Sequence, residues 1–142
     1  MRDSVRLMFN KGFIGTPEKD RSRLVIGDAR PSDAHWIAHE TLDTDTLDHT
    51  RRVVDAVGRL SVGALGELRV KSIAWLHDVV EDTDVTISDL REAGFDDVVV
   101  DAVEILTRRG SESYADYIVR FTELDVGVES HRLALLVKWA DL

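Results

Sequence analysis

The sequence predicts an all-helical domain of about seven helices, and three observations lead to this prediction. After position 46, apolar residues recur with a period of about 3.6 residues, as in helices packed on a core. Short turns separate these periods, and both prolines, Pro17 and Pro31, lie in the N-terminal quarter. No two segments show the alternating pattern of neighbouring strands. The β-branched run Val98-Val99-Val100 is therefore also interpreted as helix.

The first three helices are predicted at about 32–42, from near 47 to the region 61–63, and from about 65 to Val80 or Glu81. Ser32 or Asp33 is the expected cap of the first helix. The acidic stretch 43–46 interrupts the pattern, so we expect the second helix to begin near Leu47.

Four further helices are expected in the C-terminal half, each beginning at a capping residue or an acidic first turn. Their predicted starts are Thr86, which forms a capping box with Asp89; Asp96 or Asp97; Ser111 or Ser113; and about Glu129. The first two are expected to end at Gly94 and Gly110, the third beyond Phe121, and the fourth at the C-terminus.

Size, charge and the absence of cysteine limit the possible functions. The 142 residues, 44% of them apolar, are enough for one domain, in which an irregular segment with one helix (residues 1–45) precedes a core (residues 46–142). The formal charge of −9 disfavours nucleic acid polymers and membranes as partners. Since the chain has no cysteine, a transition metal would need histidine and carboxylate ligands. No apolar run near the N-terminus resembles a signal peptide, so we expect a cytoplasmic protein.

Ionisable residues follow the apolar face of the third predicted helix. His77 and Glu81 are four residues apart and continue a stripe formed by Val70, Ile73 and Ala74, while Asp78 and Asp82 form a neighbouring row. A polar side chain on a buried stripe needs hydrogen bonds, a counter-charge or a metal ion.

Two other helices show the same feature. His49 begins the apolar stripe of the second helix, and Asp141 ends the stripe of the last one. The simplest arrangement that satisfies all three helices is one cation bound by His49, His77, Asp78 and Asp141. Nitrogen and oxygen ligands without sulfur suit manganese, iron or zinc.

The order His49, His77-Asp78, Asp141 resembles the H…HD…D pattern of the HD-domain phosphohydrolases. The stretch 76–83 is similar to the hydrolase domain of RelA/SpoT-type guanosine tetraphosphate 3′-pyrophosphohydrolases and their small stand-alone relatives. The similarity covers about positions 47–142 and extends through Leu106-Thr107-Arg108, Glu112-Ser113-Tyr114 and Val137-Lys138-Trp139-Ala140-Asp141-Leu142.

This resemblance implies a compact HD-domain helical bundle and a small nucleotide as substrate, such as guanosine tetraphosphate (ppGpp). It implies a divalent ion, most often Mn²⁺, with iron, zinc or magnesium as alternatives. Glu81 and Asp82 would then be the catalytic pair that orients or deprotonates the attacking water.

Phosphate and base contacts have several candidates. Arg52, Arg108 and Lys138 are expected to contact phosphate and Tyr114 to stack on a base, and the further candidates are Arg51, Arg109 and Tyr117. The alternative for the cationic residues is that their side chains are solvated on helix surfaces and bind nothing. At least one of the two tyrosines is expected to pack in the core. His35 and His39 are four residues apart, and His39-Glu40 begins like a zinc-protease motif. Asp43 occupies the position of its second histidine, so we interpret both histidines as surface residues.

The chain departs from the family pattern before His49 and after Asp141. The acidic segment 40–48 replaces a segment that is basic in the family and holds the guanine nucleotide. The family also continues past the position of Asp141, so we expect the C-terminal end of the domain to be truncated. The alternative function is a degenerate HD module that binds a nucleotide or a protein partner without turnover. The presence of both Glu81 and Asp82 favours the enzyme.

Overall fold

The computed structural model of the chain describes residues 29–142, and this part is all-helical, as predicted. Expectations for earlier positions lie outside the described residues. Seven helices of six or more residues and one four-residue helix are present: α1 Pro31–Thr41, α2 Thr44–Val57, α3 Ala64–Leu76, α4 Val79–Asp82, α5 Ile87–Glu92, α6 Asp97–Leu106, α7 Tyr114–Thr122 and α8 Glu129–Asp141. Between residues 29 and 142, no helix is both long and apolar enough to cross a membrane.

The acidic stretch 43–46 begins helix α2 rather than separating it from α1. The Asp43 carboxylate accepts a hydrogen bond from the backbone amide of Thr46 at 2.8 Å, which makes Asp43 the N-cap. The expected start at Leu47 was therefore wrong by three residues. The expected cap of α1 was also wrong, because Asp33 lies in the first turn and accepts from the backbone amide of Arg30.

Helix α3 ends at Leu76, so the single helix predicted over 65–81 is interrupted by His77 and Asp78. In a continuous helix the carbonyl of Ala74 would accept from the amide of Asp78. Here that carbonyl accepts from the imidazole of His77 at 2.7 Å. The interruption changes the position of Glu81, which is exposed and does not continue the buried stripe as expected.

The helices of the C-terminal half begin close to their predicted caps. Thr86 and Asp89 form the expected capping box, and Gly94 follows α5 with a positive φ of 99°. Asp96 and Ser113 cap α6 and α7. Helix α6 ends at Leu106, four residues before the expected Gly110, and leaves a loop of residues 107–113.

Helix α3 lies at the centre of the core. It packs against α1, α2, α6 and α8, and its residues Val70, Ile73, Ala74 and Leu76 are fully buried. The end of a central helix is surrounded by its neighbours, so the side chain of His77 lies inside the bundle rather than on its surface.

Candidate metal centre

Three parts of the chain bring histidine and aspartate side chains together at the end of α3. His49 comes from α2, His77 and Asp78 from the link between α3 and α4, and Asp141 from the end of α8. One nitrogen or oxygen atom from each of His49, His77 and Asp78 lies within 4.8 Å of the others. This cluster of histidine and aspartate is suited to holding a metal ion.

Asp141 adjoins both imidazoles of this cluster. Its Oδ1 lies 2.5 Å from Nε2 of His49 and 3.4 Å from Nε2 of His77. The four residues that the sequence predicts to share one cation are thus adjacent in the fold.

His77 has the geometry of a histidine ligand with a fixed orientation. Its side chain is buried, and Nδ1 donates to the carbonyl oxygen of Ala74, which leaves Nε2 for a cation. Nε2 is buried and has no well-aligned hydrogen bond within the described part of the chain, although Oδ2 of Asp78 lies 3.0 Å away. A buried nitrogen that faces carboxylates is stabilised by a positive charge at this point, and a metal ion would supply that charge.

The charges of the cluster also favour a cation. Burial alone would lower the pKa of His77, but the carboxylates of Asp141 and Asp78 raise it to about 10. Burial alone would raise the pKa of Asp141, but the imidazoles of His77 and His49 hold it well below its usual range. A positive charge between these carboxylates is therefore stabilised, whether it is a proton on an imidazole or a metal ion. Two imidazoles and two carboxylates fit manganese, iron or zinc by their ligand chemistry.

A pocket of about 590 Å³ opens beside the cluster. His77, Asp78 and Asp141 form part of its lining. The other ionisable or aromatic groups that line it are the carboxylates of Glu81 and Asp82, the cations of Arg108, Arg109 and Lys138, and the rings of Tyr114 and Tyr117. Acidic and basic groups thus share one cavity, which suits a cation and a bound anion side by side.

Glu81 and Asp82, the predicted catalytic pair, both line this pocket. Oε1 of Glu81 accepts a hydrogen bond from the backbone amide of Arg108 at 3.0 Å, which orients the carboxylate. Partial desolvation raises the pKa of Asp82, and the neighbouring carboxylates of Asp78 and Glu81 raise it further. Asp82 therefore holds a proton more readily than an isolated aspartate.

The predicted substrate contacts divide into two groups. Arg108, Lys138 and Tyr114 line the pocket, whereas Arg52 is exposed on α2 and is not part of the lining. Lys138 contacts both the cluster and an aromatic ring of the pocket. Its Nζ lies 3.4 Å from Oδ2 of Asp141 and 4.8 Å from the ring centre of Tyr117.

Of the two candidate tyrosines, Tyr117 belongs to the core. Its hydroxyl donates to the carbonyl oxygen of Leu106 at 2.8 Å, and its side chain is buried. Tyr114 is 56% exposed, which leaves its ring available at the mouth of the pocket.

His35 and His39 lie outside the cluster. His39 is exposed as expected, but the interpretation of His35 as a surface residue was wrong. The His35 ring is half-buried and stacks on Trp75, with ring centres 4.2 Å apart. Helical spacing cannot reveal such a contact between α1 and α3.

Sequence reasoning missed the role of Glu112 and Arg120 near the pocket. Their side chains form an ion pair, with Nε of Arg120 2.9 Å from Oε2 of Glu112. The two residues are eight positions apart, one in a loop and one in α7, so no helical pattern relates them. Only the fold of the 107–113 loop brings them together.

No protein-family model matches this chain, and the comparison with curated proteins finds no similar sequence.

Proposed function

We propose that this chain is a metal-dependent phosphohydrolase of the HD superfamily, which cleaves a phosphate or pyrophosphate ester of a nucleotide such as guanosine tetraphosphate. One observation carries the proposal: three residues of the cluster suited to a divalent cation, His77, Asp78 and Asp141, line the same pocket as two further carboxylates and three cationic side chains. Hydrolysis of a phosphate ester needs positive charges, because the substrate is an anion. It also needs a carboxylate, because the attacking water must lose a proton.

His49, His77, Asp78 and Asp141 would hold the ion in this proposal, and Mn²⁺ is our preferred candidate. A divalent ion bound there would polarise a phosphoryl oxygen and lower the pKa of a water molecule. The hydrogen bond from Nδ1 of His77 to Ala74 fixes the imidazole so that Nε2 faces the cluster.

Glu81 and Asp82 have the proton-transfer roles. The amide of Arg108 holds the Glu81 carboxylate at the pocket, where it can orient water and accept its proton. The raised pKa of Asp82 suits a carboxyl group that passes a proton to the leaving oxygen. Arg108 and Lys138 would contact phosphoryl oxygens, and Tyr114 would stack on the base.

The test is a hydrolysis assay on the chain loaded with Mn²⁺. The substrates are guanosine tetraphosphate, nucleoside triphosphates and nucleoside monophosphates, and the products measured are phosphate and pyrophosphate. We expect release from at least one substrate, loss of release with a chelator, and recovery when Mn²⁺ is added back.

A fully metal-loaded chain that releases nothing from this panel would contradict the enzymatic proposal. If it still binds a nucleotide, the degenerate binding module becomes the function to test. The variant Glu81→Gln is the matched control, because it removes the proton acceptor and keeps the shape of the side chain.

A further inference from the structure

The two oxygens of the Asp141 carboxylate have different neighbours. Oδ1 faces the imidazoles of His49 and His77, whereas Oδ2 lies 3.4 Å from Nζ of Lys138. Lys138 precedes Asp141 by three residues, so both side chains lie on one face of α8. The side chain of Lys138 is 12% exposed and that of Asp141 is 20% exposed, so water screens this contact only in part.

Two aromatic rings of α7 hold the ammonium of Lys138. Nζ lies 4.8 Å from the ring centre of Tyr117 and 5.9 Å from that of Phe121, and both distances are within the range of a cation–π contact. The two rings pack edge to face, with their centres 5.2 Å apart. The hydroxyl of Tyr117 also donates to the carbonyl oxygen of Leu106, which fixes the ring to the end of α6. The ammonium therefore lies between the rings of α7 and the carboxylate of Asp141.

This arrangement sets the orientation of the Asp141 carboxylate. The terminal torsion of an aspartate is broad, so the side chain alone does not decide which oxygen faces a neighbour. Contact with the ammonium of Lys138 holds Oδ2, and Oδ1 is left for the two histidines. Carboxylates that bind a metal are in general held by such a contact from outside the metal site.

We propose that Lys138 is a positioning residue for the metal centre: its ammonium, held by the ring of Tyr117, turns Oδ1 of Asp141 toward the cation. The inference rests on the proposed function, because it takes the cluster to hold a divalent ion. It adds a second role to the phosphate contact proposed for Lys138, since an ammonium has three N–H donors.

The two roles of Lys138 predict different effects on the metal when no nucleotide is present. If Lys138 only contacted phosphate, its removal would leave Mn²⁺ affinity unchanged or raise it, because an ammonium repels a nearby cation. If Lys138 positions Asp141, its removal should lower Mn²⁺ affinity by about 10–100-fold, as for other groups that hold a metal ligand. The direction of the change therefore separates the two roles.

The test measures the Mn²⁺ affinity of the nucleotide-free chain by calorimetry. Lys138→Met keeps the length of the side chain and removes its charge, and we expect Mn²⁺ to bind at least ~10-fold more weakly. Lys138→Arg should retain most of the affinity, since a guanidinium also donates to a carboxylate and stacks on an aromatic ring. Lys71→Met is the matched control and should bind Mn²⁺ as the wild type does, because Lys71 is a half-buried lysine of α3 that does not line the pocket.

Unchanged or tighter Mn²⁺ binding by Lys138→Met would overturn the positioning role. An equal loss in Lys138→Met and Lys138→Arg would also overturn it, because the packing of the side chain and not its charge would then be responsible. The ring is tested with Tyr117→Leu, which should weaken Mn²⁺ binding, and with Tyr117→Phe, which keeps the ring and should retain most of the affinity. Equal affinities of these two variants would show that the ring does not hold the ammonium.

These outcomes are distinct from those of the proposed function. If the wild type binds Mn²⁺ but hydrolyses nothing, weaker Mn²⁺ binding by Lys138→Met still supports the positioning role, and only the enzymatic proposal fails. If the wild type is an active hydrolase and Lys138→Met binds Mn²⁺ normally, the enzymatic proposal is supported and the positioning role is refuted.

Discussion

Nδ1 of His77 lies 2.7 Å from the carbonyl oxygen of Ala74, three residues earlier in the chain. Because a carbonyl oxygen only accepts, Nδ1 must be the donor. This bond occupies the carbonyl that would continue α3, and it leaves Nε2 directed to the carboxylates of Asp78 and Asp141. The bond that orients the candidate ligand thus lies at the end of the helix.

Replacement of His77 is predicted to remove the metal. His77→Ala should lower Mn²⁺ affinity by more than ~100-fold. Mutation of a group that only hydrogen-bonds to a metal ligand already lowers metal affinity by about 10–100-fold, and His77 is itself a candidate ligand. Metal content after equilibration with a limiting concentration of Mn²⁺ measures this effect. His39→Ala is the control variant and should keep the metal content of the wild type, because His39 is exposed and outside the cluster. Unchanged metal content in His77→Ala would refute the site.

Replacement of Glu81 is predicted to separate catalysis from metal binding. Glu81→Ala should lower kcat by about 10²–10⁴-fold, the usual contribution of a general acid or base. Metal content should remain that of the wild type, because Glu81 lines the pocket and is not part of the histidine and aspartate cluster. The control is Glu104→Ala, on the exposed face of α6.

A joint loss of metal and activity in Glu81→Ala would assign Glu81 to the metal site instead. Normal turnover would remove it from the mechanism. Both quantities must therefore be measured on the same protein preparation.

The adjacency of the candidate ligands could be predicted from the sequence, because His49, His77 and Asp141 each lie on an apolar helical stripe that must be buried. The exposure of Glu81 could not be predicted, because it depends on the interruption of the helix at His77 and Asp78, where the imidazole of His77 bonds the carbonyl of Ala74. A prediction from helical periodicity is valid only where the helix continues without interruption.

The cationic residues that line the pocket were less predictable than the candidate metal ligands, for a different reason. Arg52 and Arg108 look equivalent in the sequence, but only Arg108 lines the pocket, since its position follows from the loop between α6 and α7. An arginine on a helix surface carries no periodic signal that distinguishes a solvated position from a pocket. Helix caps such as Thr86 were easier to predict, because the two residues of its capping box, Thr86 and Asp89, are close in the chain.

Metal binding is predicted to stabilise the fold. At a free Mn²⁺ concentration 100 times the dissociation constant, the free energy of unfolding should rise by about 2.7 kcal/mol. The ion would relieve the repulsion between Asp78 and Asp141 and satisfy the buried Nε2 of His77. Urea denaturation with and without Mn²⁺ measures the gain.

The variant Asp78→Asn provides the control for this measurement. It keeps the size of the side chain and removes one charged ligand, so the stabilisation by Mn²⁺ should be largely lost. An equal gain in the wild type and the variant would show that Mn²⁺ acts elsewhere on the protein.

Arg69 is predicted to contribute more to stability than an exposed arginine with as many partners. Its guanidinium contacts Asp96 at 2.9 Å and Glu129 at 2.5 Å, and so ties α3 to the starts of α6 and α8. Its side chain is 19% exposed, whereas that of Arg91, which contacts Asp97 and Asp101, is 46% exposed.

Arg69→Met should therefore lower the free energy of unfolding by about 1–2 kcal/mol, because it leaves two partly buried carboxylates without their donor. Arg91→Met should change it by less than about 0.5 kcal/mol, as expected for exposed ion pairs. Urea denaturation of both variants checks the difference. Equal losses would show that Arg69 does not link the three helices energetically. Because α8 carries Asp141, Arg69→Met should also weaken Mn²⁺ binding if the start of α8 shifts, whereas Arg91→Met should leave it unchanged.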